Sequence, residues 1–228
     1  MTSKTLLALT LLFSLSAFGT AAAREINNCR IEPGTLCGGH NLSNAKLSGS
    51  DLSFASLAQA DLSGADLSGA QLRNAELERT DLRGADLRGA TLDKVDAKGA
   101  MMQEADLRKA SLVDADLENA DLRNANLDNA NLRGAKLWGA ELGGATFNGA
   151  QLQRADLRTA TLSGASFAGA DLRGARFGNA ELDGADLRGA QIDASTDFRD
   201  AMTQGCLGCP ERTGSGTTAP SANGAPGS

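Results

Sequence analysis

The residues of this 228-residue chain with the most chemistry in them are four cysteines, one histidine and a dense set of acidic and basic side chains. Cys29 and Cys37 flank a Pro33-Gly34 turn signal. Cys206 and Cys209 form a C-x-x-C pair closed by Pro210. Such a pair has three readings: a local disulfide, half of a metal site, or a redox couple. A thioredoxin-like couple needs a helix N-terminus beneath its first cysteine, and no α/β pattern surrounds this one. A structural zinc site needs four ligands, and only His40 and two distant cysteines remain to complete it. His40 is the single histidine, so a histidine-based acid, base or triad has one place to be.

What positions these residues is a five-residue phrase repeated between His40 and Ile192. From Ala105 it reads ADLRK, ASLVD, ADLEN, ADLRN, ANLDN, ANLRG, AKLWG. Counted in fives from His40 there are 31 units without insertion or deletion. The first position is Ala in 27 units, and the third is Leu in 25. Fixed-period self-similarity outranks other sequence signals for fold. A helix would spread leucines five apart around its circumference, and a flat strand would alternate them between faces. A coil of short extended segments keeps both Ala and Leu inside, with the residues after Leu turning the corner. Successive coils then stack by backbone hydrogen bonds about 4.8 Å apart.

The A-[D/N]-L-x-x unit resembles the signature of the pentapeptide-repeat family, over about two thirds of the chain. The resemblance implies an all-β fold: a right-handed, quadrilateral β-helix with four units per coil, hence about eight coils here and a rod of roughly 37 Å. The expected organisation is a signal peptide over 1–23, an N-terminal cap with a cysteine pair over 24–39, the β-helix over 40–194, a C-terminal cap with the C-x-x-C over 195–210, and a disordered tail over 211–228. A rod of that length separates the two cysteine clusters, and a disulfide needs Cα atoms within about 7 Å. The expected pairs are therefore Cys29–Cys37 and Cys206–Cys209, each tying down one end.

Residues 1–23 carry one charge, Lys4, then an apolar run from Leu6 to Phe18 and the small-x-small site Ala21-Ala22-Ala23. They predict export, to a periplasm or beyond, with no transmembrane segment in the mature chain. Paired cysteines suit an oxidising compartment. The net charge is 22 − 28 = −6, which argues against direct nucleic-acid binding. After Ile192 the register breaks: Phe198 arrives one residue late, and Phe198 and Met202 are expected to fold over the last coil as a lid.

The outward positions are where function is expected. The second position is Asp or Glu in 15 units, and the fourth is Arg in nine. Three residues stand out as possible interface: Trp138 at an outward fourth position, Met101 at an outward second position, and Phe54 at a corner. Val95–Glu104 is the weakest phrase, read as a tolerated variant or slight bulge. A filled solenoid offers no catalytic cavity, so no enzyme activity, cofactor or metal is expected. The leading expectation is a scaffold or protein-binding module with an unknown protein or envelope partner. The alternative is a DNA mimic inhibiting an enzyme such as a type II topoisomerase, as some family members do; the Arg residues and the leader weigh against it.

Overall fold

The computed structural model describes residues 24–210; the expected signal peptide over 1–23 and the expected disordered tail over 211–228 lie outside them. The repeat becomes a stack of parallel rungs. Each second-position residue bridges the one 20 residues later, as in Asn41 to Asp61 to Asp81. Four five-residue units therefore complete one circuit. The first and third side chains point inward and, apart from half-buried Ser50, are almost wholly buried from Leu42 to Leu187.

Four backbone hydrogen bonds recur along the repeat, three between rungs and one within the turn. The third-position N–H donates to the second-position carbonyl one rung on (Leu47 to Asp66, 2.7 Å), and the second-position N–H donates one rung back (Asp66 to Ala45, 2.9 Å). The fifth-position N–H also reaches the next rung (Gly64 to Arg83, 2.9 Å). Between rungs' sides the chain turns through a bond from each first-position N–H to the preceding third-position carbonyl, such as Ala45 to Leu42 at 3.1 Å. The residue at the fifth position of the unit, third in that turn, has φ near +60°, as at Gly64 (64°) and Asn74 (56°). A turn with positive φ at its third residue selects Gly or Asn, which is why those residues crowd the fifth position. Phe54 adopts φ 60° there as well, an unusual state for a bulky side chain.

Variants of the inward phrase are absorbed by local chemistry. Thr80 replaces Ala and is fully buried, its hydroxyl donating to the Leu57 carbonyl at 2.8 Å. Val95, Ala97 and Met102 are buried, and Asp96 and Met101 bridge their neighbours at the usual separation, so Val95–Glu104 holds no bulge. Phe147 and Phe167 stack in one column with centroids 4.7 Å apart. Phe177 meets Phe167 edge-on at 5.9 Å across the core.

The two ends depart from the expected caps. At the N-terminal end, β1 (Arg24–Ile26) and β2 (Cys29–Ile31) form an antiparallel hairpin. Its two-residue turn is Asn27-Asn28, both at positive φ; Pro33-Gly34 instead makes an ordinary rung corner, with Gly34 N–H bonded to the Ser53 carbonyl at 2.8 Å. The ladder already runs from Leu36, so the unit before His40 belongs to it. At the other end, residues 195–210 form no separate lid. The bridge separation becomes 21 at Arg176–Asp197, Glu181–Met202 and Asp186–Leu207. One residue has been inserted at the corner around Ser195, after which the repeat resumes. Phe198 fills a third-position site, stacked on Phe177 at 4.9 Å, whereas Met202 takes an outward second position and is exposed.

Candidate functional site

The outer faces carry the chain's charge, and the structure assigns their second positions a task in the fold. The fourth-position N–H takes no part in the ladder described above. Where the second residue is Asp or Asn, its side-chain oxygen accepts that N–H: Ser53 to Asp51 (3.0 Å), Arg83 to Asp81 (3.1 Å), Asp128 to Asn126 (3.0 Å), Arg188 to Asp186 (3.0 Å). This is an Asx turn, which satisfies a backbone donor the rung leaves over. In three units whose second residue lacks such an oxygen, a fourth-position Asp one rung earlier supplies it. Asp93 serves Val113 (3.2 Å), Asp128 serves Asn148 (2.8 Å), and Asp183 serves Gln204 (2.7 Å). An acid two residues before an arginine reads in sequence as half of a surface ion pair; the Asp/Asn preference at this position is the signal for the backbone partner as well.

The fourth-position arginines close on the same carboxylates. Arg83 Nε lies 2.9 Å from Asp81 Oδ1, and Arg158 Nε lies 2.7 Å from Asp156 Oδ1. Pairs also cross rungs, as in Arg73 to Asp93 at 3.1 Å and Lys136 to Asp116 at 3.0 Å. Arg173 and Arg188 hold the carboxyls of Asp171 and Asp186 down at about 2. Of the nine fourth-position arginines, eight are ion-paired among the described residues. Arg133 is the exception, because its unit carries Asn131 in place of Asp.

Cys29 and Cys37 are bonded, both buried, with Cα atoms 5.4 Å apart. Cys206 and Cys209 are bonded at 5.8 Å, at the edge of the last rung. His40 is half-buried beside the cap, its Nδ1 3.1 Å from the Gly38 carbonyl. The three interface candidates do not converge. Met101 sits in the column of Asp81 and Asp121 and is half-buried. Trp138 is exposed at 42% on the side that carries Asp116, Lys136 and Asp156. Phe54 is exposed at 65% near the N-terminal end, where Leu36 is also bare.

One concavity is sizeable: a cleft of about 570 Å³ along a corner column, lined among others by Arg133, Gln153, Arg154, Arg173 and Asp193. Gln153 Nε2 donates to Asp171 at 2.6 Å, leaving its buried Oε1 without a partner. Gln103 makes the same bond to Asp121, with the same orphan oxygen, outside the cleft. No group of His, Cys, Asp and Glu suited to a metal occurs among the described residues, and no described helix is long and apolar enough to cross a membrane.

Four-unit rungs around an Ala/Leu core, with charge-paired walls, define the protein as a β-helical solenoid. Its family follows from the sequence match: overlapping copies of the pentapeptide repeats model cover residues 41–79 through 162–201. The chain belongs to the pentapeptide-repeat family, whose fold is a right-handed β-helix. Among solved structures it is similar to HetL, a pentapeptide repeat protein involved in heterocyst differentiation regulation from the cyanobacterium Nostoc. Identity there is 31%, over 75% of this chain and 86% of that one, with a TM-score of 0.54. A second Nostoc pentapeptide repeat protein is 35% identical over 42% of this chain and 83% of its own, with a TM-score of 0.37. QnrB1, a plasmid-mediated fluoroquinolone resistance protein, is 19% identical over 75% of this chain and 88% of its own, with a TM-score of 0.38. No curated protein matched the sequence.

Proposed function

We propose that this protein is a non-enzymatic, exported solenoid of about eight coils that acts as a scaffold or protein-binding module. The observation that carries the reading is the neutralised wall: from Asp81 to Asp186, each second-position aspartate is bound both to the backbone and to an arginine or lysine, for example Asp81 to Arg83. Such a surface is flat, rigid and patterned without a single-sign field, which suits a preformed protein-docking face. The same neutralisation speaks against DNA mimicry, which needs free carboxylates in an uninterrupted negative column. Export rests on the leader over 1–23, and the disulfides suit an oxidising compartment. Trp138, on a side crossed by Lys136 and Asp116, is the contact residue of choice.

The test is cross-linking and co-purification of the tagged full-length chain from its native host, wild type against Trp138→Ala. A partner recovered with the wild type and depleted with the variant supports the reading. Recovery of the chain in the cytosol, with its N-terminus intact and a DNA-binding enzyme attached, would replace it with mimicry.

A further inference from the structure

In the corner column holding the cleft the wall's charge pairing fails, and that column is also where the repeat slips. Arg133 lacks the carboxylate its sister arginines have. One rung on, Arg154 occupies a corner at φ 62° and makes no ion pair among the described residues. Gly134 and Gly174 sit on either side of Arg154 in that column, at φ 69° and 71°; side chains there would fill the groove. The inserted residue builds the end wall. Asp193 Oδ1 collects the Ser195 N–H (2.9 Å), the Ser195 hydroxyl (2.6 Å) and the Gly174 N–H (3.3 Å). All of these fall on one oxygen.

We propose that this cleft binds an acidic saccharide, a sugar ring bearing a carboxylate or phosphate. Arg133 and Arg154 supply the anion's partners, in the fork geometry that guanidinium groups offer to oxyanions. Asp114 and Asp193 line the cleft as acceptors, and a sugar's hydroxyl groups are the donors that would satisfy them. A bare inorganic ion would leave those acceptors unused. The cleft's volume of about 570 Å³ fits one or two rings. This site is independent of Trp138 and of any protein partner.

Calorimetric titration of the full-length, leader-processed chain tests it, with D-glucuronate, glucose 6-phosphate, D-glucose and inorganic phosphate as probes. Glucuronate or glucose 6-phosphate should bind, with glucose and phosphate each weaker by about tenfold or more. R133Q/R154Q should weaken the acidic sugar by about tenfold or more. Arg73→Gln, which removes an ion-paired arginine from the same side outside the cleft, should leave binding unchanged. Circular dichroism matching the wild type would show that both variants fold, as expected of exposed side chains. Three results overturn the proposal: no binding of either acidic sugar at millimolar concentration, equal binding by R133Q/R154Q, or inorganic phosphate binding as tightly as glucose 6-phosphate.

Discussion

The two ends of the rod solve the same problem differently. A terminal rung exposes backbone donors and acceptors that invite another strand. At the N-terminal end the hairpin of β1 and β2 lies over the first rung. Cys29 of β2 is bonded to Cys37 below it, both buried, and Asn27 Nδ2 donates to the Asn41 carbonyl at 2.7 Å. At the C-terminal end the last rung runs out through Leu207, where Cys206 and Cys209 pack against the core only partly buried and Met202 and Leu207 are about half exposed. The N-terminal disulfide thus adds fully buried packing, whereas the C-terminal one closes a short loop, with a sequence separation of 3, at the half-exposed edge. The stack should open from its C-terminal end, because in repeat folds each rung is held only by its neighbours.

Acid should expose the asymmetry most. Asp171 and Asp186 have folded pKa values of about 2, and arginine also lowers that of Asp197. A depressed carboxyl contributes stability above its unfolded pKa of about 3.9 and loses it as pH falls through the folded value. Stability should therefore be flat near neutrality and decline between about pH 4 and pH 2. Hydrogen exchange across that window should show the rungs beyond Leu172 opening first; simultaneous opening of the whole rod would contradict the asymmetry.

Among single changes, Phe177→Ala should cost most, about 3–5 kcal/mol, since it removes a ring packed between Phe167 and Phe198. Thermal melts should then show an early transition confined to the C-terminal rungs. Cys37→Ser should cost about 2–4 kcal/mol, by freeing the cap. Cys206→Ser should cost about 1–2 kcal/mol, because its loop is shorter and less buried. Equal costs for the two cysteine variants in denaturant melts would mean that the cap adds no packing. Asp183→Ala, which removes the acceptor of the Gln204 N–H, should cost about 1 kcal/mol, read as faster exchange at Gln204 alone.

Much of this was written in the repeat. Ala and Leu two residues apart dictate an inward pair, and their period dictates the stack. The cysteine pairs followed from the distance between the ends. The sequence could not reveal that Asp81 or Asp186 serves a backbone N–H, because an acid beside an arginine reads equally as a surface ion pair. Nor did Phe198 betray a simple insertion. Its one-residue delay looked like the end of the array, since only the ladder from Arg176 to Asp197 shows the phase being recovered. The cleft was hidden for a similar reason: Arg133, Arg154 and Asp193 lie 21 and 39 residues apart and meet only through stacking.

The 20-residue bridge spacing also governs how a gene for this protein can change length. Duplicating or deleting 20 residues alters the rod's height and leaves every outward column in place. Duplicating one five-residue unit keeps the core satisfied but turns everything after it by a quarter circuit, so that each column acquires new neighbours. A single-residue insertion needs a special corner, such as Ser195 and Thr196 gathered around Asp193. Copying errors in this chain therefore act as a combination lock, which can re-align whole surfaces without a substitution in any of them.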